Sequence, residues 1–458
     1  MTAPDLAAPL AARFPQLALR AGASVTGADP GFHADNLRGG VMALPSSVDE
    51  LSALMAFCNA QGICVVPQGG RTGLAGGAVS APGALIISTQ KMNRIVSLDA
   101  VARLAVVEAG VTLGALQAAA GSHGLSPGID LGARDTATIG GMISTNAGGI
   151  EAFRHGVMRA RVSGLEAVLA DGTVMSDMAQ VSKCNEGLDV KQLFMGAEGT
   201  LGIVTRAVIR LVPSPRAKAT ALVAAADTAH ALAAFHALNG TGQLLAFELM
   251  NPRYFKLAAE AAKEGALLPL AGAGFVFVVE MQGADEAQAL SALEEGLGSL
   301  LESGQVADAV IAKSSAEARR FWILREDSWV VDRAFPHCLW FDVTVPLSQL
   351  DPYLRKLDDG MAAVKPDCAA FVIGHLGDGN LHITVAGHED LSAAKAQVEG
   401  LVYEGLKAMG GSFSAEHGIG LEKRAALLKY GGAGKRAAMQ AVKQALDSQG
   451  IMNPGKVL

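Results

Sequence analysis

The stretch VVPQGGRTGLAGG, Val65–Gly77, is a glycine-rich segment that precedes a strand-like run, Ala84–Ile87. Because glycine has no side chain, such a loop can point several backbone N–H groups at a phosphate. The stretch lacks the Gly-x-Gly-x-x-Gly spacing of nicotinamide-binding folds and the Gly-x4-Gly-Lys-Ser/Thr spacing of a P-loop, and neither pattern occurs elsewhere in the chain. It therefore predicts a phosphate-bearing ligand that is bound in a different way.

Two further glycine-rich segments follow within 140 residues of chain. The first comprises Pro127–Gly132 and Thr138–Gly149, and the second is Met195–Val204, which leads into a strand-like run, Ala207–Val212. Glycine in these positions indicates that the backbone must turn or approach another group closely. Three such loops predict an extended ligand.

Two motifs near the C-terminus carry metal-binding and acid–base residue types: GHLGDGNLH, Gly374–His382, and SAEHGIG, Ser414–Gly420. Two imidazoles and one carboxylate can hold a divalent metal, and a further histidine can act as a base. Apolar runs flank the first motif, so its two histidines are predicted at facing ends of a hairpin, with Asp378 and Asn380 forming the turn or supporting the ligands. The alternative is that the histidines merely cap the hairpin.

Length and composition limit the possible classes. A chain of 458 residues exceeds one ordinary core, so two domains are expected. Half of the residues are hydrophobic, which disfavours a disordered chain. The net charge is -7 and no basic cluster is present, which disfavours nucleic acid and anionic membranes as partners. The N-terminus lacks signal-peptide features, no apolar run is long enough to span a bilayer, and the five cysteines form no Cys-x-x-Cys pair. These features predict a soluble, cytoplasmic protein.

The segments, in this order, resemble the flavin-binding half of the vanillyl-alcohol oxidase and p-cresol methylhydroxylase fold. The C-terminal motifs resemble its FAD-linked D-2-hydroxy acid dehydrogenase branch, which includes D-lactate, glycolate and D-2-hydroxyglutarate dehydrogenases. The resemblance runs from about Asn36 to Leu458. It implies an α+β protein with a two-subdomain FAD-binding domain (1–214), an α+β cap domain with an antiparallel sheet (215–410) and a C-terminal segment that returns to the FAD domain (411–458).

The resemblance also implies the cofactor and the residues that bind it. Fold relatives with covalent flavin carry a His or Cys in these loops, whereas this chain has Arg71 in the first and neither residue in the second, so noncovalent FAD is expected. The implied FAD-binding residues are Pro67, Gly69, Gly70, Arg71, Thr72, Gly73, Gly76, Gly77, Pro127, Gly128, Asp130, Leu131, Thr138, Gly140, Gly141, Ser144, Asn146, Gly148, Glu198, Gly199, Gly202, Ile203 and Asn453.

The implied reaction is oxidation of a D-2-hydroxy acid to the 2-oxo acid. His375, His382 and Glu416 would bind zinc or manganese, which chelates the substrate's carboxylate and hydroxyl. His417 would remove the hydroxyl proton while the C2 hydride passes to flavin N5. Arg325 would anchor a substrate carboxylate through its bidentate fork; the alternative is a helix-surface arginine paired with a glutamate.

Substrate preference is where the chain departs from the family pattern. Members that act on hydroxyglutarate tend to have Thr and Lys where Trp329 and Trp340 stand, and Thr384 replaces an Asn that is often present. A more apolar pocket is therefore expected, which favours D-lactate or longer apolar homologues. D-2-hydroxyglutarate or D-malate is the alternative within this enzyme class.

Two other classes remain open from sequence: a flavin-free metal hydrolase that uses the His/Glu set, and a noncatalytic FAD electron-transfer subunit. The hydrolase leaves the glycine-rich loops unexplained, and the electron-transfer subunit leaves the metal set unexplained. No haem, iron–sulfur or quinone motif is visible. Electrons are therefore expected to leave through an electron-transfer flavoprotein, cytochrome or quinone, and a homodimer is possible.

Overall fold

The structure is a computed structural model that describes residues 6–365 and 367–458. Residues 1–5, which belong to the N-terminal segment without signal-peptide features, and Pro366 lie outside the described residues. The chain divides into two compact units. One comprises the chain up to Ser214 together with Glu416–Leu458, and the other comprises Pro215–Ala415. The first boundary falls within Pro213–Pro215, where proline disfavours the continuation of regular structure.

The first part of unit 1 is a four-stranded sheet in the order β1-β2-β4-β3. Strand β2 and strand β3 both run parallel to β4, whereas β1 is antiparallel to β2. A buried apolar cluster that includes Leu54, Val65 and Leu85 packs on this sheet. The elements are α1 (Ala7–Arg13), β1 (Ala18–Ala21), α2 (Ala23–Thr26), β2 (Val41–Leu44), α3 (Val48–Gln61), β3 (Val65–Gln68) and β4 (Leu85–Ser88), with 3-10 turns at Ala34–Leu37 and Thr89–Lys91.

The second part of unit 1 is a five-stranded antiparallel sheet in the order β5-β6-β10-β8-β9, beside a short β7/β11 pair. Its core includes Val107, Leu165 and Ala207. The elements are β5 (Ile95–Asp99), β6 (Leu104–Glu108), α4 (Leu113–Gly121), β7 (Leu125–Ser126), α5 (Ile139–Thr145), α6 (Ala152–His155), α7 (Met158–Arg161), β8 (Val162–Val168), β9 (Val174–Asp177), β10 (Ile203–Arg210) and β11 (Val212–Pro213), with a 3-10 helix at Val190–Phe194.

Unit 2 is built on a seven-stranded sheet in the order β15-β12-β14-β13-β17-β18-β16, in which every pairing is antiparallel. The predicted α+β architecture with an antiparallel sheet is therefore confirmed. The elements are β12 (Ala217–Ala225), α8 (Thr228–Gly240), β13 (Leu244–Met250), α9 (Pro252–Ala261), α10 (Leu268–Gly272), β14 (Phe275–Gly283), α11 (Glu286–Glu302), β15 (Asp308–Ile311), α12 (Ser315–Glu326), α13 (Val330–Ala334), β16 (His337–Thr344), α14 (Leu350–Val364), β17 (Ala369–His375), β18 (Asn380–Gly387), α15 (Lys395–Tyr403) and α16 (Leu406–Met409), with 3-10 turns at Gly265–Leu267, Leu347–Gln349, Leu376–Asp378 and Ser392–Ala394.

The chain re-enters unit 1 at Glu416, slightly later than the predicted position near Gly411. The difference arises because Ser412 exchanges backbone hydrogen bonds with Thr344 of β16, which keeps this segment in unit 2. The remaining elements are α17 (Arg424–Tyr430) and α18 (Ala433–Leu446). Met452 then forms a parallel bridge with Val65 and so adds the C-terminus to the first sheet.

Across residues 6–365 and 367–458, no helix has both the length and the apolar character that crossing a membrane requires.

Candidate active site

The two histidines of the first C-terminal motif lie on the predicted hairpin. His375 ends β17, and His382 is the third residue of β18, beyond a turn that closes at Gly379 in the left-handed conformation. His382 pairs with Ile373, two residues before His375, so both imidazoles project from the same face of the sheet. Their ring centroids are 5.4 Å apart. The hairpin therefore brings the two rings together, as the flanking apolar runs predict.

A buried carboxylate faces Nδ1 of each histidine. Glu248 of β13 lies 2.8 Å from Nδ1 of His375, and Asp342 of β16 lies 3.7 Å from Nδ1 of His382. Asp342 also accepts hydrogen bonds from the side chain of Asn380 (3.0 Å) and the backbone N–H of Ala415 (3.1 Å). Carboxylates behind imidazoles orient the rings and increase their basicity, which is typical of metal-binding histidines.

Glu248 and Asp342 were not among the residues singled out from sequence. Each is the single acid in a largely apolar strand, LLAFELM for Glu248 and HCLWFDVT for Asp342, and each is at most 1% exposed. Because burying a charge is costly unless it is paired, an isolated acid in such a strand is a signal of a functional or paired site.

Arg325 lies near the C-terminal end of α12, where it is only 6% exposed. Its Nη2 atom is 2.9 Å from the carboxylate of Glu248, so Glu248 lies between Arg325 and His375. The sequence left open a helix-surface arginine paired with a glutamate. The structure shows the glutamate pairing, but Arg325 is buried and does not lie on the surface. Nε of Arg325 is buried and has no hydrogen-bond partner among the described residues, which leaves one donor suited to a carboxylate.

The two tryptophans at the family-divergent positions form an exposed pair in unit 2. Trp329 and Trp340 are 51% and 58% exposed, and their rings pack edge to face with centroids 6.2 Å apart. Trp340 lies two residues before Asp342 and pairs with Thr384, two residues after His382. Alternation along a strand therefore places Trp340 on the face that carries His382.

Unit 1 contains a cavity of about 370 Å³, which is within the usual range for ligand pockets of ~300–1,000 Å³. All three glycine-rich segments contribute to its wall, and so do two residues of the second C-terminal motif. Of the predicted FAD-binding residues, those that line it are Pro67, Gly69, Gly70, Arg71, Thr72, Gly73, Gly77, Leu131, Thr138, Gly140, Gly141, Ser144, Gly148, Glu198, Gly199, Gly202 and Ile203. Glu416 and His417 complete the wall.

Six predicted FAD-binding residues are not part of this cavity wall: Gly76, Pro127, Gly128, Asp130, Asn146 and Asn453. Several of them make contacts within the protein. The carbonyl of Pro127 accepts a hydrogen bond from Arg161, Asp130 pairs with Arg134, and Asn146 ends α5. Asn453 donates to the carbonyls of Gly77 (3.0 Å) and Glu198 (2.7 Å), so it holds two cavity-lining segments together from behind.

Arg71 shows that the cavity fits an anionic cofactor. Its Nε and Nη1 atoms are buried without a hydrogen-bond partner among the described residues, and burial lowers the pKa of its guanidinium. Its backbone is left-handed (φ 56°), a conformation that costs a non-glycine residue about 1–2 kcal/mol. A pyrophosphate would supply the missing acceptors, and the neighbouring glycines expose further N–H donors. The residues present therefore fit FAD.

Comparison with known proteins agrees with this assignment. Residues 40–177 match the family model for an FAD binding domain, and residues 214–457 match that for FAD linked oxidases, C-terminal domain. The solved structure of p-cresol methylhydroxylase with substrate bound is similar to this chain, with a TM-score of 0.67 and 16% identity over 91% of this chain and 88% of that one. The chain is thus an FAD-dependent oxidoreductase with the fold of the FAD-linked oxidases.

Curated relatives define the family more narrowly. A D-2-hydroxyglutarate dehydrogenase of Xanthomonas citri pv. viticola is 38% identical over 91% of this chain and 88% of its own length. A probable mitochondrial D-2-hydroxyglutarate dehydrogenase of Oryza sativa subsp. japonica is 36% identical over 91% of this chain and 75% of its own length. The chain belongs to the FAD-linked D-2-hydroxy acid dehydrogenase family, as the sequence motifs predict. This membership is inconsistent with a flavin-free hydrolase.

Proposed function

We propose that this chain oxidises a D-2-hydroxy acid to the 2-oxo acid with noncovalent FAD and one divalent metal ion. The observation that carries the proposal is the cavity in unit 1, whose wall combines the glycine-rich loops with Glu416 and His417. When bound, FAD supplies the hydride acceptor, N5 of its flavin ring. The carboxylate and the imidazole in the same cavity wall would provide the metal-binding and acid–base groups that abstraction of a hydroxyl proton requires.

The proposed metal ligands are His375 and His382 of unit 2 and Glu416, the first residue of unit 1 after the chain returns. Imidazole and carboxylate together suit zinc and manganese. The carboxylates of Glu248 and Asp342 behind the two imidazoles support this role. When bound, the ion supplies a Lewis acid that lowers the pKa of the substrate's 2-hydroxyl.

The protein's own groups then have separate tasks. His417 accepts the proton of the 2-hydroxyl, which its position in the cavity wall supports. Arg325 binds a substrate carboxylate through Nε, the donor that its ion pair with Glu248 does not use. Holding both substrate and cofactor in fixed positions removes much of the entropic cost of the reaction.

The combined test is a visible spectrum with metal analysis of the purified protein, followed by a panel of D- and L-2-hydroxy acids with an artificial dye acceptor. We expect flavin absorption, one metal ion per chain and reduction by D-substrates alone. A flavoprotein without metal that no hydroxy acid reduces would instead indicate a noncatalytic electron-transfer subunit. For the physiological acceptor we propose an electron-transfer flavoprotein, a cytochrome or a quinone.

The first prediction concerns FAD retention. Arg71→Ala should weaken FAD binding by about 10- to 100-fold, because a hydrogen bond to a charged group contributes roughly 1.5–3 kcal/mol. The measurement is the FAD dissociation constant from flavin fluorescence. The matched control is Arg103→Ala, which removes an exposed arginine with the same left-handed backbone (φ 55°) outside the cavity wall. Equal FAD affinity in the two variants would remove Arg71 from the cofactor site.

The second prediction concerns the substrate side chain. The names of the relatives favour D-2-hydroxyglutarate, whereas the exposed indole of Trp340 on the His382 face, with that of Trp329 packed against it, favours an apolar side chain. The indoles stand where family members that act on hydroxyglutarate tend to have Thr and Lys, and a hydrogen bond from either residue to a charged distal carboxylate would contribute roughly 1.5–3 kcal/mol. We therefore expect D-lactate and longer aliphatic or aromatic homologues to be used at least as well as D-2-hydroxyglutarate, as measured by kcat/KM.

Trp340→Ala sharpens this specificity test. It should lower kcat/KM for aromatic and long aliphatic acids while leaving D-lactate nearly unchanged, since only the larger substrates would reach the indole. A strong preference of the unmodified protein for D-2-hydroxyglutarate over every monocarboxylate would show that Arg325 or another cation anchors a distal carboxylate. The tryptophans would then have no part in specificity.

A further inference from the structure

Glu198 carries an unusual combination of burial, charge and backbone conformation in unit 1. It is only 7% exposed, and its own backbone is left-handed (φ 51°). Burial raises the pKa of its carboxyl group, and two backbone N–H groups oppose that shift. A strained and buried carboxylate is retained only where the surrounding structure uses it.

The carboxylate of Glu198 is engaged by the segment that follows His417. Oε1 accepts a hydrogen bond from the N–H of Ile419 (2.7 Å), and Oε2 accepts one from the N–H of Gly420 (2.9 Å). Gly418, with φ 77°, passes so close that a Cβ there would lie 2.7 Å from Oε1. The two oxygens thus bind two successive amides, as in a small anion-binding nest of backbone N–H groups. We call these two hydrogen bonds, from Ile419 and Gly420 to Glu198, the clamp.

The backbone of Glu198 is itself fixed at both of its polar atoms. Its N–H donates to the carbonyl of Ser144 (2.8 Å), and its carbonyl accepts from Asn453 (2.7 Å). Immediately after Ile419 and Gly420, the N–H of Leu421 donates to the carbonyl of Ala75 in the first glycine-rich loop (2.8 Å). The Ile419–Leu421 backbone is therefore tied to two of the cavity-forming loops, and only Gly418 separates it from Glu416 and His417.

We propose that Glu198 is a positioning residue that sets the location of Glu416 and His417 through the Ile419 and Gly420 amides, and not primarily a ligand of FAD. The inference rests on the proposed function for the importance of Glu416 and His417. Its physical basis is that a loop carrying reactive groups must be held firmly, because a displacement of about 1 Å can lower a rate by roughly 10²-fold.

The test is Glu198→Gln, which keeps size and shape but replaces one acceptor oxygen by an NH2 group that faces an N–H donor. We expect kcat for flavin reduction to fall by about 10²-fold with KM little changed and FAD occupancy equal to that of the unmodified protein. Hydrogen exchange of the Ile419 and Gly420 amides should become about tenfold faster. Loss of FAD with unchanged exchange at these amides would overturn the proposal and make Glu198 a cofactor ligand.

Thr200→Val is the matched control in the same loop. The Thr200 hydroxyl is buried but donates to the carbonyl of Ala197 (2.6 Å), so the change perturbs the loop without removing an acceptor from Ile419 or Gly420. It should leave both the exchange of these amides and kcat near their original values. A decrease in kcat and an acceleration of exchange equal to those of Glu198→Gln would show general loosening of the loop and contradict the clamp.

Two further measurements separate the clamp from the proposed chemistry. In the unmodified holoenzyme the Ile419 and Gly420 amides should be protected although they lie in a loop, and unprotected amides would overturn the clamp without any variant. His417→Ala could instead prove fully active while Glu198→Gln still accelerates hydrogen exchange of these amides. That result would support the clamp and contradict the assigned role of His417.

Discussion

His417→Ala is expected to slow flavin reduction by a D-2-hydroxy acid by about 10²- to 10⁴-fold, the usual contribution of a general base. His417 lies in the wall of the glycine-loop cavity, and in the proposed reaction it would accept the substrate proton. Alanine removes the acceptor without adding bulk, so FAD and metal contents should stay at the level of the unmodified protein. Anaerobic stopped-flow absorbance measures the reduction rate directly.

His123→Ala is the control for this experiment, since His123 is an exposed histidine of the same unit that does not line the cavity. It should reduce its flavin at the original rate. A His417→Ala variant with unchanged flavin reduction would remove His417 from the mechanism. A variant that has lost its metal would instead make His417 a ligand.

The second large effect is expected from His382→Ala, which should abolish turnover and release the metal while leaving the flavin spectrum intact. A Lewis acid contributes several kcal/mol to stabilising developing charge, and a site that loses one of three protein ligands binds its ion far more weakly. The flavin should remain because the glycine-rich cavity is built from residues of unit 1, whereas His382 belongs to β18 of unit 2.

Removing the metal with a chelator is an independent test of its role. Treating the unmodified protein with a chelator should reproduce the loss of turnover, and adding back zinc or manganese should restore it. His388→Ala, at an exposed position just beyond the end of β18, is the matched control and should keep both metal and activity. Loss of flavin together with activity in His382→Ala would point to a structural role and count against the metal site.

Several features of this protein could be predicted from sequence because they depend on contiguous residues. The glycine-rich loops are local signals, since a phosphate-binding backbone needs consecutive residues without side chains. The start of α11 (Glu286–Glu302) is likewise set locally, since the side chain of Asp285 caps its first turn. The hairpin of His375 and His382 follows from apolar alternation around a glycine-containing turn.

The tertiary structure decided which distant residues meet. Glu248 reaches His375 only because β13 pairs with β17 in a register that places the two residues opposite each other. Glu198 reaches Ile419 across more than two hundred residues of chain. Such contacts depend on strand order and on the packing of loops, which local propensity does not specify.

Local sequence also does not specify which of the predicted FAD-binding residues line the cavity. Pro127, Asp130 and Asn146 belong to the predicted glycine-rich segment, yet the structure gives their polar atoms to Arg161, Arg134 and Arg159. The sequence by itself therefore determined the family and the cofactor class. Which buried polar groups bind one another, and which remain available to a ligand, was decided by the tertiary structure, because each buried polar group must be satisfied by whatever donor or acceptor the fold brings near it.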